Sequence, residues 1–307
     1  MDPPVTTVDL GVTWNWEYDV EFIGMIEYRC RLEGLSVSRI QRQSIEENLA
    51  LLREKKLYFR FFLDRASDDD DSFHPLAHTI ARGHEEGRTR VINPLHLQLR
   101  AADKATMHLE FLSHGIEVPY TIIISPYNHK RELELSLTEL SRLGRPFIIK
   151  PANTTGGGMG VVMGAETLKD VLEARQHHKN DKYLLQETVR PAFLSENRAW
   201  FRIFYAFGEI IACWWDDQTH IYEEVSTDDV ATFGLEPLEA ITKKVSEVCQ
   251  LDFFSTELAY TPSRRFIAVD YVNEVCDMRL QSRHRDGVPD AVVERIIDSM
   301  LRFIRSS

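Results

Sequence analysis

Extended apolar runs and helical stripes alternate along the first third of this chain. Val5 to Thr13 reads as a strand, and Val20 to Leu32 carries apolar residues at helical spacing with Gly34 as a stop. Ser36 to Ile40 predicts a second strand. Ser44 to Leu52 predicts a helix with Ser44 as N-cap and Glu47 three residues on, the capping-box pattern. Leu57 to Leu63 is apolar and aromatic, as a buried strand requires. His74 to His84 resumes the helical period before Gly87, and Arg90 to Ile92 is short and extended, ended by Asn93-Pro94. Strands and helices in this order predict a small open α/β sheet.

A second unit begins near Leu95. Lys104 to Ser113 predicts a helix ended by Gly115, "EVPYTIII" a strand, "SPYN" a turn, and Leu133 to Leu143 a helix. Thr167 to Arg175 is helical and Tyr183 to Gln186 extended. From Arg198 the period shifts toward two. "AWFRIFYAF" and "IIACWW" flank a Gly208-Glu209 turn, and "STELAY" and "RFIAVDYVNE" flank Pro262-Ser263, so two hairpins are expected. Pro237 to Cys249 and Val288 to Ile304 are amphipathic helices.

One stretch breaks the pattern of a chain built only to fold. In "PFIIKPANTTGGGMGVV", a buried strand ends in Lys150 and runs into a glycine loop. Glycine costs backbone entropy wherever the chain is ordered, so this density points to something lying close to the backbone. A P-loop places its lysine after the glycines, whereas Lys150 stands six residues before Gly156. The dinucleotide fingerprint fails on the spacing of Gly156, Gly158 and Val161. What remains is a strand, Lys-Pro, a polar spacer and a glycine loop leading into a second strand. Such a hairpin flap can cover phosphates with its N–H groups while the lysine reaches them from the strand. The plainer alternative is a surface hairpin with a snorkelling lysine.

Composition narrows the field. The chain has 307 residues, enough for two or three lobes, with 43% hydrophobic and 27% charged residues. A net charge of −12 argues against a nonspecific nucleic-acid partner but leaves room for a local cationic pocket. No apolar run suits a membrane span, and Met-Asp-Pro-Pro does not open a secretory signal. Cys30, Cys213, Cys249 and Cys276 are scattered without a CxxC pair, which fits a reducing cytoplasm.

Taken in order, "NPLHLQLRAADKATMHLEFLSHGIEVPYT", the lysine–glycine stretch, "YLLQETV", "RAWFRIFYAFGEIIA" and "STELAYTPSRRFIAVDYVNE" resemble the ATP-grasp superfamily. The likeness is to the ligases related to D-alanine–D-alanine ligase, glutathione synthetase and the glutamate-ligating modifiers of ribosomal proteins. It spans Asn93 to Glu274. It implies an α/β fold of α+β lobes clamping ATP. An open α/β pre-ATP-grasp domain over 1–94 would precede a lobe with the flap over 95–189 and a lobe with metal-binding strands over 190–307. It implies Lys104 and Lys150 on the phosphates and Gly156, Gly157, Gly158, Met159 and Gly160 as the flap. Gln186, Glu187 and Val189 would form the adenine hinge. Arg202 would be the arginine on the strand after the hinge, and Glu257, Asp270 and Asn273 the magnesium ligands.

The implied reaction is ATP-dependent joining of a carboxylate to an amine through an acyl-phosphate. A small-molecule kinase and a nucleotide-binding regulator without turnover are the alternatives. Small carboxylate and amine substrates, and a homodimer, are the implied partners. Two lysines spread over a triphosphate offset its charge, and hard oxygen ligands on neighbouring strands suit magnesium.

The chain departs from that pattern after the metal strand. Related ligases read Glu-x-Asn followed by Pro-Gly, and this one reads Asp270-Tyr-Val-Asn273-Glu274. Residues three apart do not share a strand face, so either a bulge separates Asp270 from Asn273 or Glu274 takes its place. Arg279, Arg283 and Arg285 follow, and Arg279 is expected to hold an acid or stabilise an acyl-phosphate. The plainer alternative for Arg202 is a structural pairing with Glu209 or Glu187. Trp14, Trp16 and Asp19, and Asp64 with Arg65, stand at strand ends where such sheets place ligands. His177 and His178 are expected on the surface.

Overall fold

The computed structural model describes residues 5–68, 70–153 and 159–306. The first of its three main sheets is parallel, as the strand–helix alternation requires. It contains β1 (Thr6–Trp14), β2 (Val37–Ile40), β3 (Leu57–Arg65) and β4 (Arg90–Ile92) in the order β2-β1-β3-β4. Between them run α1 (Val20–Leu32), α2 (Ile45–Arg53) and α3 (His74–Glu85). α1 has the predicted bounds. α2 does not use its predicted cap: Ser44 makes no side-chain bond to the helix start. Instead it closes a reciprocal box with Gln41 around a short 3-10 turn at Arg42–Ser44. Because the chain leaves β1 toward β2 on one side and β3 toward β4 on the other, the loops after the adjacent strands β1 and β3 part around a crevice.

Then come α4 (Leu95–Ala102), which the sequence reading lacks, and α5 (Lys104–Ser113). Asp103 caps α5 by accepting from the N–H groups of Ala105 and Thr106. The second sheet is antiparallel, in the order β5-β8-β6-β7: β5 (Thr121–Ile124), β6 (Phe147–Pro151), β7 (Val162–Ala165) and β8 (Tyr183–Glu187). Its outer face is closed by α6 (Leu137–Leu143) and α7 (Leu168–Ala174), around Ile149, Val171 and Leu185. Both helices begin with a capping box, Ser136 with Glu139 and Thr167 with Asp170.

After a small hairpin of β9 (Phe193–Leu194) and β10 (Asn197–Arg198), the third sheet is built from five antiparallel strands. They are β11 (Trp200–Ala206), β12 (Glu209–Trp215), β13 (Tyr222–Glu224), β14 (Phe253–Tyr260) and β15 (Phe266–Asn273), in the order β13-β12-β11-β14-β15. Both expected hairpins are present. α8 (Thr227–Phe233), which the sequence reading also lacks, and α9 (Glu236–Cys249) precede β14. α10 (Asp290–Ser306) closes the chain. The apolar stripe of α10 packs with α1 and the first sheet in one core that reaches Phe204 and Ile211 of the third sheet. A second core joins α5, α9 and the third sheet to Leu184 of β8. Among the described residues, no helix is long and apolar enough to cross a membrane.

Candidate active site

Lys150 sits at the end of β6, and pairing places it opposite Leu184, with Ile148 opposite Gln186. These four residues share one face of the second sheet, the face turned toward α5 and β15. The ammonium of Lys150 donates to the Val269 carbonyl of β15 at 3.3 Å. Burial pulls its pKa below the ordinary lysine value. Lys104 adds to this, and Asp270 and Glu257 oppose it. Lys104, at the first turn of α5, lies 3.7 Å from an Asp270 carboxylate oxygen and is itself mostly buried. Burial alone would raise the pKa of Asp270, but the fields of Lys104, Lys150 and Arg202 together hold it below the usual carboxylate range. Lys104 therefore contacts this carboxylate, while Lys150 is held on the carbonyl of the neighbouring residue.

Pairing between β14 and β15 settles the spacing question. Glu257 pairs with Asp270 and Ser255 with Asn273, so two steps on β14 match three on β15. The extra residue is a bulge, and it returns Asn273 to the face that carries Asp270 and Glu257. A second irregularity follows, since Leu258 pairs with Ala268 and Val269 is left over. Val269 is the residue whose carbonyl receives Lys150. Glu274, the other candidate ligand, follows the bulge, and burial raises its pKa, which favours the neutral acid.

Arg202 takes neither of those alternative partners. It stands directly across from Glu257 in the β11–β14 register and forms a buried ion pair with it. Glu209 instead receives Arg295 and Arg302 from α10, and Glu187 accepts from the Tyr120 N–H at 2.7 Å. The second oxygen of Glu257 accepts from Trp200 Nε1 at 3.1 Å, and the Arg202 guanidinium lies 4.8 Å from the Trp215 ring centre. Asp270 makes only the long lysine contact, and the Asn273 amide has no hydrogen bond among the described residues. Both keep free oxygen lone pairs. No three His, Cys, Asp or Glu side chains among the described residues are gathered closely enough to hold a metal alone. Such an oxygen set suits a magnesium ion that takes one or two carboxylates from the protein and its other ligands from phosphate and water.

No family model matches this chain, and no curated protein matches it in sequence. Solved structures do. A RimK-domain ATP-grasp protein from Sphaerobacter thermophilus superposes with a TM-score of 0.60 at 18% identity, over 94% of this chain and 98% of that one. D-alanine–D-alanine ligase from Bacillus anthracis, solved with ATP, gives 0.63 at 14% identity over 97% and 98%. The ATP-grasp ligase PsnB, solved with a precursor variant, Mg and ADP, gives 0.65 at 12% identity over 96% and 98%. This chain has the ATP-grasp fold.

Beside Lys104 and Asp270, the end of β8 is anchored from inside. Gln186 is buried. Its amide nitrogen lies 3.0 Å from the Tyr271 hydroxyl and 3.3 Å from that of Thr121, and its oxygen is left without a donor. His108 of α5 meets the same Tyr271 hydroxyl at 2.7 Å. This chain of polar contacts ties α5, β8 and β15 together behind Lys104 and Asp270. Sequence reading missed His108 and Tyr271, whose only signal is a polar atom on an apolar face. Val189 packs on Trp200 and Val269.

Of the residues expected to form a flap, Gly156, Gly157 and Gly158 lie outside the described residues. Met159 is exposed, and Gly160 has a φ of +74°. A Cβ on Gly160 would stand 3.0 Å from Pro151 and 3.3 Å from His178.

Arg279 does not present an open fork. Asp277 and Asp286 hold it at 2.8 and 2.9 Å, which raises its pKa, and it lies 5.9 Å from the Trp16 ring centre. Its loop is fixed from the first sheet. Arg65, at the end of β3, is bidentate with buried Asp19 at 2.7 Å and donates to the Cys276 carbonyl at 2.8 Å. Asp64 accepts from Thr13 and from the N–H groups of Ala66 and Ser67, so it shapes the turn. Arg283 and Arg285 are exposed. Two cavities elsewhere, of about 420 and 250 Å³, line α3 and share no residue with the lysine–carboxylate cluster.

Proposed function

We propose that this cleft binds magnesium-ATP and joins a carboxylate to an amine. The carboxylate oxygen attacks the γ-phosphorus and ADP leaves. The amine then attacks the acyl carbon, losing a proton, and phosphate departs. Lys104 and Lys150 would neutralise the triphosphate and orient its γ-phosphoryl group, a task of positioning and charge rather than covalent catalysis. Asp270, Glu257 and Asn273 would hold the metal, which supplies charge neutralisation at the phosphate oxygens. Arg202 would position Glu257. Residues 156–160 would close over the phosphates. Gln186, with its unpaired acceptor, would sit beside adenine with Glu187 and Val189. In this reading, residues 1–94 precede the nucleotide unit, 95–189 carry the flap and 190–307 carry the acidic strands.

The observation that supports this most is Lys104 beside Asp270 with Lys150 on the adjoining Val269 carbonyl, two cations brought to one strand end in a chain of net charge −12. The ligase neighbours add weight at the level of fold. The deciding experiment offers pooled carboxylates and amino acids with magnesium-ATP and hydroxylamine. Carboxylate-dependent hydroxamate formed together with ADP is the expected result. AMP as the nucleotide product, or a phosphate ester without hydroxamate, would overturn the reading.

A further inference from the structure

Beside the flap lies a cluster of positive charge that the cleft does not use. The turn after β5, residues 125–131, packs on the segment after α7, residues 175–182. Asn128 N–H donates to the Lys179 carbonyl at 3.0 Å, and Arg175 donates to the Lys130 carbonyl at 2.7 Å. At the centre is Tyr127. Arg131, Arg175 and Lys179 each place their charge about 6 Å from its ring centre, at 6.0, 5.9 and 6.0 Å. Among the described residues, none of these three cations has a carboxylate within ion-pair distance. Glu134 is taken by Lys130 at 3.2 Å, Asp103 by Lys182 at 3.1 Å, and Asp181 accepts from Asn153. Arg175 is almost fully buried, with its Nε and one terminal nitrogen unpartnered.

A tyrosine face offers roughly 0.5–1 kcal/mol to one exposed cation, and three like charges around it repel one another. The arrangement is stabilised by an anion placed over Arg131 and Lys179, both of which are exposed. The surface also borders the flap at both of its ends. Asp181 binds Asn153, where the flap leaves β6, and His178 touches Gly160, where it returns.

We infer that this collar around Tyr127 docks an acidic peptide segment, the side-chain carboxylates of Asp or Glu lying over Arg131 and Lys179. The patch is open rather than cavity-like and is carried by two adjoining segments, which suits an extended chain better than a small anion. A longer polyanion meets the repulsion of the whole acidic protein, whereas a short acidic segment needs only the local patch. That the docked chain is a substrate delivered to the cleft rests on the ligase reading. The docking itself does not.

The test measures binding of a fluorescent oligoglutamate peptide to the full chain without nucleotide at low salt, against an oligoglutamine control. Polarisation should rise for oligoglutamate only, weaken with added salt, and weaken on the order of tenfold in Arg131→Gln/Lys179→Gln. Arg131→Glu/Lys179→Glu should abolish it with an unchanged thermal midpoint. Equal binding of both peptides, no binding, or unaltered affinity in both variants would overturn the proposal. So would a single-stranded oligonucleotide that binds more tightly at the same residues. Because nucleotide is absent throughout, none of these outcomes bears on acyl-phosphate formation.

Discussion

Glu257→Gln isolates the electrostatic centre of the cleft. The substitution keeps the side-chain shape and an acceptor for Trp200 Nε1, but removes the charge opposite Arg202. In the native pair the side chains are only 14% and 9% exposed, so water cannot replace the lost partner. Removing one member of a buried pair costs about 3–5 kcal/mol. The lower end is expected here, because glutamine still accepts a hydrogen bond and Asp270 adds some negative field at Arg202. At roughly 2 °C per kcal/mol for a large chain, the thermal midpoint should fall by about 6 °C or slightly more. Replacing both partners, Arg202→Met with Glu257→Leu, should recover most of that loss, since apolar pairs of similar volume tolerate such sites. Thermal melts with urea titrations of the parent and the two variants measure this. A Glu257→Gln protein within about 1 kcal/mol of the parent, or a double variant less stable than the single one, would refute the argument. Both variants should lose magnesium-dependent ADP release, since neither retains the Glu257 carboxylate.

Lys150→Ala should lower turnover at least about a hundredfold in an ADP-release assay while changing the thermal midpoint little, because it relieves a buried charge as it removes the proposed phosphate ligand. Burial pushes the pKa of His108 down from 6.5 to about 4, so the folded protein keeps it neutral while the unfolded chain protonates first. Its contribution is complete above about pH 6.5 and is lost as pH falls toward about 4, a change of about 3 kcal/mol at 1.36 kcal/mol per pH unit. Urea midpoints should therefore fall more steeply with acid in the parent than in His108→Gln. A Cβ at Gly287 would stand 2.5 Å from the Arg279 carbonyl, so Gly287→Ala should displace that loop. The readout is a raised KM for the non-nucleotide substrates with the KM for ATP retained. Chelating magnesium with EDTA should remove the thermal shift given by ATP, as measured by differential scanning fluorimetry.

The sequence was most legible where local chemistry decides the outcome. α1 falls where the helical period and Gly34 place it, and the two late hairpins form around Gly208 and Pro262. Lys150 was legible because a lysine closing an apolar strand before a glycine loop has few structural uses. Register was not legible. Arg202 had several acids within plausible reach, and only the long-range β11–β14 pairing, 55 residues apart, selects Glu257. The choice between Asn273 and Glu274 stayed open for the same reason: strand parity assumes a regular ladder. His108 and Tyr271 looked like ordinary interior positions because their partnership spans 163 residues. Ser44 misled because a capping signature does not reveal that a 3-10 turn precedes the helix.

The bulge in β15 carries one more implication. Relative to the Glu-x-Asn spacing of related ligases, this strand holds one surplus residue, and the fold absorbs it without moving the oxygen donors off their face. The chain should therefore tolerate loss of that residue better than a gain elsewhere. Excising Val272 would even the ladder between Asp270 and Asn273, with the asparagine still opposite Ser255 and the irregularity at Val269 kept, whereas adding a residue between 266 and 270 would turn the aspartate away from Glu257. Length variation in this hairpin is thus tolerated in one direction only.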